Sequence, residues 1–464
     1  MEMEPRQFLP DDLIVDEIVA RGCSPATIVR CAAVSKPLRR RILRPAFLTR
    51  RLPALGLPRS DGGGAADLFV PSLLLGVYHR ARDDPCSPLA FVPAAGAASI
   101  AASSLDLVPP PAAATPVSDD HAGGGGGGVC VFGSYQPLSS RRSLVVLRRR
   151  CKIVSHQGRR HRHNGAARNG GELTVCNPAS GERWVLPPHE VFDQTLVLVD
   201  VNHHDGGVGG SLSSSFKLLA AHLPESSPRS LTVQVFSSDE RQWGPPLACA
   251  ISRPCDLIDP AKPVVLRGAV HWLCRTRSCY RILKYRHRRR GGEHHQPPNT
   301  SLMKLPLPCE SGVHDMCLAL SPSSHASSSS SSSSPSLSVV VLQQDHIAVW
   351  VRSAAAATSS SGGSWEQRHV IREDGVAGAR PPMDLPWRDG WVRRITGLEW
   401  FCEGSGALFL EHRDDDAPFL VLDLHGRGEV RIANALQVVS SRQLEFCPYE
   451  VDLISYMTFF MKRF

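Results

Sequence analysis

Cysteine is the residue type in this chain best suited to structural metal binding, and the sequence contains 14 of them. Cys249 is followed by Cys255, and Cys274 by Cys279, at wider spacings than the Cys-x-x-Cys pair that is common in structural zinc sites. No such pair occurs anywhere in the sequence. The spacing therefore predicts no metal site.

Sequence motifs for catalysis and cofactor binding are also missing. The chain contains neither a Gly-x-Ser-x-Gly elbow nor a His-Glu-x-x-His motif. Residues 123–128 are all glycine and formally match a phosphate-binding Gly-x-Gly-x-x-Gly pattern. They precede a strand-like run at 129–132 instead of opening a helix, so we do not expect phosphate binding there. We therefore expect no catalytic residue and no cofactor, and interpret the chain as a non-enzyme.

The charge balance also limits the class of partner. The chain has 52 Lys and Arg against 44 Asp and Glu, and the excess basic residues fall in short separate runs such as 148–152 and 286–290. Such runs bind phosphates or direct nuclear import in some proteins, but are more often solvated loops. We expect no specific nucleic-acid partner. The acidic N-terminus, the irregular cysteine spacing and the lack of a long apolar run predict a reduced protein of the cytoplasm or nucleus, without a membrane partner.

The first fifty residues follow a helical pattern. Pro10 and the two aspartates after it indicate a helix start, and Ile14 and Ile18 recur on one helical stripe. Ser24-Pro25 is a second start signal. After Pro37, Leu38, Ile42 and Leu43 form the apolar side of a third short segment, and the arginines at 39–41 form its other side. We expect three helices, whose small apolar face is completed by another protein.

This segment resembles an F-box over residues 8–52. The motifs that carry the resemblance are Leu9-Pro10-x-Asp12-Leu13, Glu17-Ile18, Ile28-x-Arg30-Cys31, Val34-Ser35-Lys36 and Pro45-x-Phe47. The resemblance implies docking onto the Skp-type adaptor protein of a ubiquitin ligase and, through it, onto a cullin. The adaptor-binding residues that it implies are Leu9, Pro10, Leu13, Ile14, Ile18, Ile28, Val34 and Ile42. Gly22, Leu38 and Arg44 depart from the family pattern, and physical reasoning alone allows a plain helical cap on the following domain.

From about residue 68 the pattern changes to short β-type runs separated by Gly, Pro and Ser. A weak repeat also appears. Each unit has a strand, then a polar turn, and then an aromatic or apolar residue that opens the next strand. The closing residues are Trp184, Trp243, Leu302, Trp365 and Val430. Without the polar inserts, this spacing is close to the ~40 to 50 residues of a propeller blade. We therefore favour radial repetition over a sandwich.

Low-complexity inserts occur where this repeat predicts hairpin loops, because loops tolerate insertion at little entropic cost. They are residues 123–128, 158–171, 203–215, 288–298, 327–334 and 354–364. The β region also resembles the F-box-associated region of plant proteins, especially grass proteins, through residues 175–178, 235–238 and 268–273.

Together these features predict an α+β fold: a small N-terminal three-helix F-box at 8–52, a linker with the first β elements at 53–120, and a large all-β, propeller-like domain at 121–464. The resemblance implies a substrate-recognition subunit of a Skp-cullin-F-box ubiquitin ligase, with an unknown client on the β domain. Two alternatives remain open, namely a propeller scaffold with no ligase role and a hydrolase with an unrecognised pocket.

Overall fold

The computed structural model describes most of the β region and a short part of the N-terminal segment. The described residues are 35–42, 73–81, 89–94, 135–149, 171–191, 195–204, 213–287, 299–306, 309, 315–321, 335–353, 364–372, 392, 395–413, 420–424, 430–432, 444–452 and 455. They form 25 strands, β1 to β25, and one helix, α1 (Lys36–Ile42).

Helix α1 begins with a local capping arrangement. Ser35 Oγ accepts a hydrogen bond from Leu38 N at 3.5 Å, and Ser35 O accepts one from Arg39 N at 2.8 Å. The first turn of a helix tolerates Pro37, because a backbone N–H at that position would have no partner within the helix. The basic residues of the last turn favour the negative end of the helix dipole. The predicted third helical segment is therefore present as α1.

The expected α+β fold with a three-helix F-box is wrong. The described residues are nearly all β, with strands in six sheets against the seven helical residues of α1, and they contain no three-helix unit. The first two predicted helices lie outside the described residues. An apolar stripe repeated at i, i+4 indicates only helical periodicity, and short helices need tertiary packing for stability. The local pattern was therefore insufficient to predict a packed helical domain.

The sheets are arranged as the six blades of a β-propeller: three blades have four strands, two have five and one has three. Blade 1 comprises β1 (Leu74–Ala81), β2 (Ala90–Pro93) and β25 (Leu444–Glu450). Blade 2 comprises β3 (Tyr135–Arg141), β4 (Leu144–Arg149), β5 (Leu173–Asn177) and β6 (Glu182–Val185). Blade 3 comprises β7 (Thr195–His204), β8 (Ser213–His222), β9 (Ser230–Ser237), β10 (Gln242–Trp243) and β11 (Leu247–Ala250).

The second half of the ring follows the same order. Blade 4 comprises β12 (Asp256–Leu257), β13 (Val264–Leu266), β14 (Ala269–Arg275), β15 (Tyr280–Arg286) and β16 (Asn299–Lys304). Blade 5 comprises β17 (Asp315–Ser321), β18 (Ser336–Leu342), β19 (His346–Arg352) and β20 (Trp365–Arg372). Blade 6 comprises β21 (Ile395–Phe401), β22 (Ala407–His412), β23 (Leu420–Asp423) and β24 (Val430–Ile432). All the strand pairs are antiparallel.

Blade 1 closes the ring by joining the two ends of the β region. Strand β25 pairs with β1 from Leu74↔Glu450 to Ala81↔Leu444. Val451 N then donates to Leu73 O at 2.9 Å. An open ring would expose unpaired strand edges at its two ends, and the pairing of β25 with β1 avoids this. The segment assigned to 53–120 thus contributes β1 and β2 to the same propeller.

The sequence repeat corresponds to the outer hairpins of blades 2 to 6. Trp184, Trp243, Leu302, Trp365 and Val430 lie on β6, β10, β16, β20 and β24. In the chain these strands follow β5, β9, β15, β19 and β23, with which they pair. The propeller prediction is therefore confirmed. Four of the six inserts lie between hydrogen-bonded strands of one blade, and the insert predicted at 203–215 overlaps the paired ends of β7 and β8. The insert at 123–128 lies outside the described residues, between β2 of blade 1 and β3 of blade 2 in the chain.

Two of the repeat tryptophans bridge neighbouring blades. Trp243 Nε1 donates to Pro187 O at 2.8 Å, just beyond the outer strand of blade 2. Trp365 Nε1 donates to Lys304 O at 2.9 Å, at the end of the outer strand of blade 4. An indole suits this position because it packs apolar surface and still satisfies its one N–H. The repeated aromatic residue therefore stabilises contacts between blades.

Apolar side chains fill the spaces between adjacent blades. One core cluster joins blades 4, 5 and 6, and others join blades 2 and 3, blades 3 and 4, and blades 6 and 1. Trp272 lies between blades 3 and 4 with no exposed surface, and its Nε1 donates to Thr195 Oγ1 at 3.2 Å. Thr195 Oγ1 in turn donates to Pro260 O at 2.6 Å. His271, the neighbour of Trp272 on β14, is also buried.

Candidate functional site at the centre of the ring

The inner strands of the propeller and the turns beside them carry a group of charged side chains that connects all six blades. Contacts between β25 and β3, β3 and β7, β13 and β17, and β17 and β21 identify these strands as the inner ones. We define the central cluster as Arg141, Lys262, Asp315, Glu399, Glu403 and Glu450. It contains four carboxylates and two cationic groups, in a chain whose net charge is positive.

Arg141, the last residue of β3, is the main cation of this cluster. Its Nε donates to Glu403 Oε2 at 2.8 Å, and its Nη1 donates to Leu198 O at 3.2 Å and to Val199 O at 3.1 Å. Glu403 Oε1 accepts a hydrogen bond from Val265 N at 2.6 Å. The pair thus connects blades 2, 3, 4 and 6. Charge-assisted bonds of this kind are stronger than neutral ones.

Lys262 forms a second connection between blades 4 and 6. Its Nζ lies 3.1 Å from Glu399 Oε2 and 2.9 Å from Asp259 Oδ2. Burial alone would lower the pKa of Lys262, but the charges of Asp259 and Glu399 outweigh it and raise the pKa above its ordinary value. Lys262 therefore stays protonated and acts as a fixed cation, which makes it unsuitable as a general base.

Asp315 connects blades 5 and 6 through backbone groups. Its Oδ2 accepts from Leu398 N at 2.7 Å and its Oδ1 accepts from Met316 N at 3.0 Å. Burial raises the pKa of Asp315, while these backbone bonds oppose the rise. A Cβ on the neighbouring Gly397 would lie 3.1 Å from Glu411 Oε2 and 3.3 Å from Glu399 Oε1, so glycine leaves room for these two carboxylates.

Glu450, the last residue of β25, connects blades 1 and 6. Its Oε2 accepts from Gly404 N at 2.9 Å and its Oε1 accepts from Ser405 N at 2.5 Å. Burial raises the pKa of Glu450 above its ordinary value, although bonds from Ser405 and Gly404 lower it. Both oxygens of the Glu450 carboxylate, at the end of the strand that closes the ring, therefore accept hydrogen bonds.

The arrangement of the central cluster suits structural connection. Asp315, Glu403 and Glu450 each use both carboxylate oxygens for protein hydrogen bonds. Among the described residues, no group of three or more His, Cys, Asp and Glu side chains has a geometry that could hold a metal ion. Because these polar groups already have partners, the cluster orders the blades relative to one another.

The described cysteines are free, and most are buried. Burial raises the pKa values of Cys176, Cys317 and Cys447 to about 12, so these thiols remain protonated near neutral pH. Cys255 and Cys274 contact each other, and this hydrogen bond lowers the pKa of Cys255. Cys255 and Cys274 are 19 positions apart in the sequence, and the β12–β14 pairing brings them together.

The implied adaptor-binding residues are mostly outside the described part of the chain. These residues are Leu9, Pro10, Leu13, Ile14, Ile18, Ile28 and Val34. Ile42 is described, at the end of α1, and its side chain is fully buried. The central cluster was not predicted, because its members belong to no local motif. No helix among the described residues has the length and hydropathy of a membrane-spanning segment.

Comparison with known proteins identifies the chain at the level of its family. No curated protein matches the sequence. A family model described as a domain of unknown function, DUF7595, matches residues 128–464. This range includes blades 2 to 6 and β25, whereas β1 and β2 of blade 1 precede it. Because the matched residues make up well over half of the chain, the chain belongs to the DUF7595 family.

Proposed function

We propose that the chain is a non-catalytic substrate-recognition subunit of a Skp-cullin-F-box ubiquitin ligase. Residues 8–52 would contact a Skp-type adaptor and, through it, a cullin, and the propeller would present a client protein. The role of the chain would be to hold a client near the transferring subunits, which accelerates reaction by proximity. The free cysteines are consistent with action in the cytoplasm or nucleus.

The observation that carries the proposal is the combination of two parts in one chain. The motifs of residues 8–52 resemble those of adaptor-binding F-box proteins, and a closed propeller follows them. A β-propeller fold is consistent with a protein-interaction scaffold, because rigid blades support variable loops. The central cluster supports this interpretation, since its carboxylates are used to connect blades and provide the rigidity that a scaffold needs.

Adaptor binding by the full-length chain tests the proposal directly. We expect a purified Skp-type adaptor to be retained by the wild-type chain, and Leu13→Asp or Ile18→Asp to reduce retention at least tenfold, because a charge would be placed in an apolar contact. Asp16→Ala is the matched control, since Asp16 lies on the predicted polar stripe of the same segment. Circular dichroism of each variant verifies that the propeller is intact.

The outcomes separate the proposal from its alternatives. No retention by the wild-type chain would exclude the adaptor role and favour a scaffold without ligase function. Retention that survives both aspartate substitutions would show that the implied contact residues are wrong. Hydrolysis of general ester or peptide substrates by the purified chain would instead favour the enzyme alternative.

A further inference from the structure

Blade 4 carries cationic side chains on the face that packs against blade 5. His271 of β14 pairs with Lys284 of β15, and Ala269 pairs with Arg286. Directly paired residues share one face of a sheet, and so do residues two apart along a strand. Lys284 and Arg286 therefore lie on the same face as Ile282, which belongs to the core shared by blades 4, 5 and 6.

Blade 5 adds a further cation to this face. Arg352 is the last residue of β19, and its Nη1 lies 3.8 Å from Met303 Sδ on β16 of blade 4. Met303 pairs with Ile282, and Ser301, two residues earlier, pairs with Lys284. The Arg352 guanidinium therefore lies across the junction between the blades, on the face that carries Lys284.

Arg267 completes the group from the tight turn between β13 and β14. Its φ is 52°, and Gly268 follows with φ 70°, as in a two-residue hairpin turn. This turn is adjacent to the pair formed by Ala269 and Arg286. We call Arg267, Lys284, Arg286 and Arg352 the cationic junction.

The other three members of the cationic junction act on Lys284 as like charges. Burial lowers the pKa of Lys284, and Arg286, Arg352 and Arg267 lower it further. Burial also lowers the pKa of Arg352. Burial lowers the pKa of His271 to about 4, with Lys284 contributing, so this imidazole is neutral near pH 7. Within the described part of the chain, no carboxylate forms an ion pair with Lys284, Arg286 or Arg352.

We propose that the cationic junction is a binding site for a phosphate monoester dianion. Lys284 and Arg352 are half-buried cations, and such like charges are unfavourable without a counter-charge, so a bound anion would remove that cost. Guanidinium forks and an ammonium group are suited to phosphate oxygens. The site is separate from the central cluster and does not depend on adaptor binding.

The compact form of the junction favours a monoester over nucleic acid. A phosphate monoester carries about −1.5 to −2 charges at pH 7 on a single group. A nucleic-acid phosphate carries one charge, and proteins that bind nucleic acid tightly make roughly 6 to 10 such contacts along an extended surface. The junction instead places its cations at the meeting point of two blades.

Isothermal titration of the full-length chain with O-phosphoserine tests the site, with serine as the uncharged comparison and potassium chloride at equal ionic strength. We expect phosphoserine to bind, and Lys284→Met and Arg352→Gln each to weaken binding about tenfold or more, as expected for loss of a charge-assisted hydrogen bond. Lys304→Met is the matched control, because Lys304 is exposed on the same blade and its position on β16 assigns it to the opposite face. Binding should also weaken below about pH 6, where the monoester becomes a monoanion.

A thermal unfolding series guards against loss of structure in the variants. Lys284→Met removes one of several like charges, so we expect it to unfold at the same or a higher temperature than the wild type at low salt. Absence of phosphoserine binding, or equal binding by Lys284→Met and the wild type, would overturn the proposal. Tighter binding of a single-stranded oligonucleotide than of phosphoserine would also overturn it and would assign the surface to nucleic acid.

Discussion

Replacement of Glu403 by glutamine tests whether the central cluster connects the blades. The carboxylate accepts hydrogen bonds at 2.6 Å from Val265 N and at 2.8 Å from Arg141 Nε, on different oxygens. Glutamine has only one oxygen, so its amide N–H₂ would face one of these two donors. The substitution also removes the counter-charge of Arg141.

The structure sets the magnitude of this effect. Loss of one hydrogen bond to a charged group costs about 1.5 to 3 kcal/mol. Removal of one partner from a fully buried ion pair costs about 3 to 5 kcal/mol. The side chains of Arg141 and Glu403 are 16% and 18% exposed, so water compensates part of that cost. We expect Glu403→Gln to lower the free energy of unfolding by about 2 to 3 kcal/mol.

Equilibrium urea unfolding of the full-length chain, followed by tryptophan fluorescence, measures the change. Glu366→Gln on β20 is the control, since Glu366 is exposed and should change stability by less than about 0.5 kcal/mol. A double-mutant cycle with Arg141→Met should give a coupling of at least about 1 kcal/mol. If Glu403→Gln unfolds like Glu366→Gln, or if the coupling is near zero, the blades are not held together by this pair.

Two further changes test the packing and the pH response of the ring. Trp272→Ala removes a fully buried indole and leaves Thr195 Oγ1 without that donor. We expect it to lower the free energy of unfolding, measured in urea, by about 3 to 5 kcal/mol. Trp365→Ala should lower it less, because the Trp365 side chain is only partly buried. The raised pKa of Glu450 means that the folded chain holds this proton more tightly than the unfolded chain; this contribution to stability is present at low pH and is lost as pH rises from about 4.5 through the folded pKa. The stability of the wild type relative to Glu450→Gln should fall over that window, and a pH-independent difference would contradict the assignment.

The repeat residues show how much of the fold was readable in advance. Trp184, Trp243 and Trp365 were predicted to open the strand after a polar turn, and they lie on the outermost strands of blades 2, 3 and 5. A hairpin is a local structure, so its alternating strands and turn residues are encoded within a few positions. The F-box pattern at 8–52 was equally local. Its periodicity predicted three helices, whereas the described residues contain only α1.

The central cluster shows what local patterns do not contain. Arg141 and Glu403 are 262 positions apart, and Lys262 and Glu399 are 137 apart. Each of these residues looks like an ordinary surface charge in the sequence. Only the closed ring brings them within hydrogen-bonding distance.

The sequence by itself determined the strands, their outer hairpins and the radial repeat, because hydrogen bonding within a blade joins segments that are neighbours in the chain. The tertiary structure alone decided that there are six blades, that β25 completes the sheet begun by β1, and which charged groups meet at the axis and at the junction of blades 4 and 5. Those features depend on the curvature of the whole ring and on packing between blades, which no short stretch of residues specifies.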